Sequence, residues 1–130
     1  MERRALPCTF QEVSSVTGQI TSILQFALDG VAQQQAAIAN NLANAQTPGY
    51  TATQVSFQQS LAQALASPGT AAADVSSAPA PTLPSTNGNN VNLTNELVAA
   101  QQATLQYQAI TEAVNAQLRL VQGSAGGSFA

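Results

Sequence analysis

Residues 40–50 read Asn40-Asn41-Leu42-Ala43-Asn44-Ala45-Gln46-Thr47-Pro48-Gly49-Tyr50, and the last four end one element and redirect the chain. Pro48 biases Thr47 away from the α region. Proline followed by glycine at the centre of a four-residue turn is the type II pattern, and the glycine position needs φ > 0. A plain turn accounts for these residue types without any chemistry.

Upstream of the turn, the pattern is helical from Gln19 to Ala45. Leu24, Leu28, Val31, Gln35, Ile38, Leu42 and Ala45 alternate by four and three, the spacing of a heptad seam. Such a helix is roughly 40 Å long. An ordinary amphipathic helix on a small core would show the same spacing. Residues 1–18 are weakly patterned and expected to be flexible. Thr9 and Glu12 have the spacing of a capping box, but Gly18 weakens any continuation.

Downstream, Val55, Phe57, Leu61 and Leu65 predict a short helix with Ser56 as its N-cap and Pro68-Gly69 as its end, completing a unit over 19–66. Residues 67–90 carry Pro79, Pro81 and Pro84 among Ser, Thr, Ala and Asn, which predicts a flexible or partly extended linker. A second long helix is predicted over 91–123. Asn92 serves as its N-cap, Glu96 complements the dipole in the first turn, and Arg119 does so in the last. Gly123 is the expected C-cap, followed by a loose tail over 124–130. Its seam is Leu93, Leu97, Ala100, Thr104, Tyr107, Thr111, Val114, Leu118 and Val121. The fold class expected is all-α: long N- and C-terminal helices forming an antiparallel, coiled-coil-like pair, with a short middle helix and a linker.

Composition constrains what such a chain does. Of its 130 residues, 45% are apolar, but Leu, Ile, Val and Phe amount to roughly a fifth, near the level where disorder sets in. A monomer of this make-up buries a thin core and gains from partners. Only 7% of residues are charged, with none between Gly30 and Ala73 or between Val75 and Asn95. Helix surfaces stripped of charge suit burial against copies of themselves, although a habit of composition would look alike. The net charge of −3 and the absence of Lys exclude a phosphate-binding face, so no nucleic-acid partner is expected. No apolar run reaches the ~18 residues of a membrane span, so no direct membrane insertion is expected either. Arg3 and Arg4 are not followed by an apolar h-region, so no cleavable secretory signal is expected.

The usual catalytic chemistry has no residues to stand on. There is no His, the six carboxylates are scattered, Cys8 is alone, and no Lys can complete a phosphate loop. No catalytic site, no metal and no cofactor are expected.

Asn41, Asn44, Thr47, Pro48, Gly49 and Tyr50 lie in a string, followed by Val55-Ser56-Phe57, that resembles the N-terminal signature of flagellar rod and hook proteins. Gly88-Asn89-Asn90-Val91-Asn92-Leu93-Thr94-Asn95-Glu96-Leu97, then Leu105-Gln106-Tyr107-Gln108-Ala109, resemble the short proximal rod members of that family. The resemblance covers roughly residues 19 to 122. Thr51, Thr53, Ser56, Asn92 and Thr94 stand where the family usually carries charge. The resemblance implies a non-enzymatic subunit that polymerises into the torque-transmitting rod through its terminal helices. The N-terminal seam would be Leu24, Leu28, Val31, Ile38 and Leu42; the C-terminal seam would be Leu93, Leu97, Tyr107, Val114, Leu118 and Val121. It also implies export by the flagellar type III apparatus and assembly in the periplasm. The partners implied are self, FlgC and the distal rod proteins, the FliE adaptor, and the membrane ring and export gate. A free helical-hairpin adaptor, or an exported protein binding another partner, is the alternative.

Overall fold

The computed structural model describes residues 10–66 and 75–126. The expected start up to residue 9, linker residues 67–74 and tail residues 127–130 lie outside them, and with them Cys8, Thr9 and Pro68-Gly69. The described elements are α1 (Phe10–Ala43), β1 (Thr53–Ser56), α2 (Gln58–Ala66), β2 (Ser76–Pro79) and α3 (Leu93–Gly126). α1 and α3 each span 34 residues, roughly 50 Å of helix. Asn41, near the end of α1, bonds to Glu96, in the first turn of α3, so the two helices run antiparallel.

Several boundaries differ from expectation. α1 already runs from Phe10, so residues 10–18 of the segment expected to be flexible are helical. A mid-helix glycine costs about 1 kcal/mol against alanine, too little for Gly18 to stop a helix of this length. At the other end of the chain, α3 continues through Gly123 to Gly126. Gly123 is therefore no C-cap, and Arg119 falls short of the last turn.

The middle of the chain holds the main correction. Thr53–Ser56 and Ser76–Pro79 form an antiparallel pair in which Val55 faces Ser77. Val55 thus belongs to a strand, and Phe57, not Ser56, precedes the short helix and accepts its first bond, from Leu61 N at 2.8 Å. Residues 75–90 are ordered by hydrogen bonds rather than free. Ala80 N donates to Ala52 O (2.8 Å), Thr82 Oγ1 donates to Asn90 O (3.0 Å), and Gly88 N closes a turn on Ser85 O (2.9 Å).

The core is thin. Val31, Ile38, Phe57 and Ala103 are buried together, edged by Leu42, Leu61, Val75, Ala99, Ala100 and Ile110. Phe57 lies directly on Gly30: a Cβ there would sit 2.6 Å from the ring. The glycine is what lets the aromatic ring reach the α1 backbone. Alanines do the same for α3, whose contact with the core is made by Ala99, Ala100, Ala103 and Ile110.

That contact takes up Ala100 of the predicted C-terminal seam and leaves most of its larger members outside the core. Leu93, Leu97, Tyr107, Leu118 and Val121 are exposed, and Val114 is half-buried. At 3.6 residues per turn, neighbouring stripes of one helix look equally periodic. The stripe richest in large residues points outward, while the stripe of small ones permits close packing. On α1 the seam faces inward: Val31 and Ile38 are buried, and Leu24, Leu28 and Leu42 half-buried.

Candidate functional site

The signature turn is the centre of a polar joint that ties α1 to the start of α3. Tyr50 N donates to Thr47 O (3.3 Å) and Gly49 has φ 71°, the bond and the glycine conformation of a type II turn. Gly88 has φ 79° and closes the opposing turn, and a Cβ on it would lie 3.3 Å from Gly49 Cα. Gly49 N donates to Asn87 O (3.0 Å) across that glycine-to-glycine contact.

Asn41 is the buried hub, with 2% of its surface exposed. Its Nδ2 donates to Thr53 O (2.9 Å) and to Glu96 Oε1 (3.0 Å). Its Oδ1 accepts from Thr53 N (2.9 Å) and from the Tyr50 hydroxyl (3.3 Å). Both amide protons and both lone pairs are used, so nothing in the buried side chain is left unpaired. One asparagine thereby fixes α1 against β1, the turn and α3 at once.

Asn89, also buried, holds the turn that follows α1. Its Nδ2 lies within hydrogen-bond distance of Asn44 O (2.9 Å), Ala45 O (3.2 Å) and Thr47 O (2.8 Å), carbonyls just beyond the end of α1. The helix's own end is met locally, Asn44 N donating to Asn40 O and Asn41 O and Ala45 N to Leu42 O. Asn89 Oδ1 accepts from Val91 N (2.7 Å). Next to it, Asn90 Oδ1 accepts from Ala52 N (2.6 Å), and its Nδ2 donates to Ala80 O (3.2 Å) and Thr82 O (3.3 Å). Asn92 then caps α3, its Oδ1 accepting from Asn95 N (3.1 Å).

The other predicted motif residues take lesser parts. Asn44 donates to Asn40 O (2.9 Å) and accepts from Thr47 Oγ1 (3.3 Å), while Pro48 is exposed at the tip of the turn. Asn89, Asn90 and Gly30 are not among the predicted site residues. The signal for the two asparagines is a run of amides in a charge-free segment just before a helix. For Gly30 the signal is a lone glycine facing a downstream aromatic.

Glu96 is the ionisable group that Asn41 holds. Burial pushes its carboxyl above the ordinary glutamate range, and the Asn41 hydrogen bond offsets part of that rise. Among the described residues no three of His, Cys, Asp and Glu come together as a metal site, and no helix is long and apolar enough to cross a membrane. What this geometry provides is a rigid angle between two long helices.

No curated protein matches the chain. Residues 24–51 match a family model described as flagella basal body rod protein, a span that runs from the first seam leucine past Tyr50. The match supports a flagellar rod protein, a component of the basal body from a structural rather than an enzymatic family.

Proposed function

We propose that the chain is a proximal rod subunit of the FlgB type, which polymerises through the outward faces of α1 and α3 to build the base of the torque-transmitting shaft. The observation that carries this reading is the stripe Leu93, Leu97, Tyr107 and Leu118, each at least 44% exposed along α3. Isolated apolar residues on a surface are ordinary, but a run of large apolar residues along a helix nearly free of charge marks a surface that leaves water in an assembly. In this reading the neighbours are further copies and other rod proteins, FlgC among them, with the FliE adaptor and membrane ring at the base. The subunit reaches the periplasm through the type III export gate. Low charge density fits this use, since each ionised group enclosed between subunits would have to be paired.

The test is Leu118→Asp beside Glu112→Gln, both at exposed positions of α3. Full burial of a leucine is worth roughly 1.5–3 kcal/mol, and a buried carboxylate adds a desolvation cost of several more. Leu118→Asp subunits should be exported yet leave cells without a completed rod. Glu112→Gln cells should swim normally. Intact basal bodies in the Leu118→Asp strain would remove the outward face as an assembly surface.

A further inference from the structure

We propose that Asn87 is a deamidation and isomerisation site that folding silences and whose reaction product loosens the joint. Of all the asparagines in the chain, only Asn87 precedes a glycine. That pair is chemically the most exposed to this reaction, because Gly88 has no Cβ to hinder attack by its backbone nitrogen. In the reaction, Gly88 N bonds to Asn87 Cγ and loses its proton, and the side-chain nitrogen leaves as ammonia. Water then opens the resulting ring at either carbonyl, giving aspartate or isoaspartate. No oxidant, metal or enzyme is needed.

Asn87 is exposed to solvent, yet its reacting atoms are held apart from their task. Its Oδ1 accepts from the Ser85 hydroxyl (2.7 Å) and from Asn89 N (3.1 Å), which fixes the side-chain rotamer. Gly88 N, the attacking atom, is committed to Ser85 O (2.9 Å). Gly88 is also fixed at φ 79° against Gly49. Cyclisation has to break the Gly88–Ser85 bond and rotate the Asn87 side chain away from both donors, so it waits for this turn to open. The backbone of the same residue belongs to the joint, since Asn87 O accepts from Gly49 N. Isoaspartate inserts a methylene into the main chain at this point and moves that carbonyl out of register with Gly49. Aspartate leaves the main chain as it was.

The experiment incubates the full chain at one mildly alkaline pH and temperature, natively and in concentrated urea, and follows the peptide carrying Asn87 by mass spectrometry. Product peptides are one mass unit heavier, and labelling by isoaspartyl methyltransferase separates the two products. Reaction limited by opening should be at least about tenfold slower in the folded chain than in urea. Ser85→Ala, which removes one of the two donors to Oδ1, should raise the native rate several-fold. Chains carrying isoaspartate should melt below the parent, while Asn87→Asp should melt close to it. Equal rates in native buffer and urea would overturn the proposal, as would a native rate unchanged by Ser85→Ala or equal melting of the isoaspartate and parent chains.

Discussion

At one end of the α1–α3 pair, Asn41, Asn89 and Asn90 bind the turns and both helices through eleven hydrogen bonds of their side chains. Away from that joint, Val16 and Ile20 on α1 and Leu118, Leu120 and Val121 on α3 are each at least 39% exposed. The contrast separates two tasks. Hydrogen bonds are directional, and a buried set with every partner satisfied allows one arrangement of the helices. Apolar burial has no direction and works against any complementary face. The joint end therefore sets an angle, and the free end offers surface.

This contrast can be broken or sharpened in four ways, from the largest expected effect to the smallest. Asn41→Ala leaves Thr53 N–H and Thr53 O without their Asn41 bonds and removes a donor from Glu96, at roughly 1–3 kcal/mol for each buried group left unpaired. Urea unfolding should show a loss of about 3 kcal/mol or more, and a loss near zero would break the comparison. Gly30→Ala drives a methyl group into the Phe57 ring and should cost about 1–3 kcal/mol, less the gain of about 1 kcal/mol in helix propensity. Combining it with Phe57→Leu should bring the two effects below their sum, which a double-mutant cycle measures.

Glu96 supplies a smaller test through pH. Its folded-state pKa is raised by burial, so the folded chain holds this proton more tightly than the unfolded chain. Its contribution to stability is fully present below the unfolded glutamate pKa and is lost as pH rises through the folded value. Glu96→Gln keeps an oxygen acceptor for Asn41 but cannot ionise. The fall in stability with rising pH across the glutamate range should therefore be shallower in the variant, as read from unfolding midpoints over that range. The smallest effect belongs to Leu118→Asp in the free chain. An exposed substitution away from the core should stay within about 0.5 kcal/mol of the parent by urea unfolding. A large loss there would mean that the free end is already packed within one molecule.

Much of this architecture is legible in the residues. The long helices follow from apolar spacing, and the turn follows from Thr47-Pro48-Gly49-Tyr50. The strands are not legible: Thr53–Ser56 is too short to display alternation, and Ser76–Pro79 reads Ser-Ser-Ala-Pro, with no β-branched or aromatic residue. Their pairing is imposed from outside, by the bond from Ala80 to Ala52 and by Asn90 bridging the two segments. The face that α3 presents is hidden for a related reason. α3 meets the core through Ala99, Ala100 and Ala103, although its larger exposed residues form an equally regular stripe. Within the joint, Asn41, the turn, Asn89 and Asn90 all lie in strings that carry the family resemblance. The role of Asn89 depends on which carbonyls lie opposite it, and spacing along the chain does not encode that.

The clasp that Asn89 places on the turn after α1 also orders events in time. The carbonyls it meets lie 42 to 45 residues earlier in the chain, so no local sequence can complete that turn. Closing a loop of such length costs chain entropy before any contact rewards it, and contacts distant in sequence slow folding. The turn after α1 should stay loose until the segment around residue 89 arrives, and then ordering of the turn, β1 and the start of α3 should follow in one step. A chain emerging from its N-terminus would hold an unfinished turn until about two-thirds of these 130 residues had appeared.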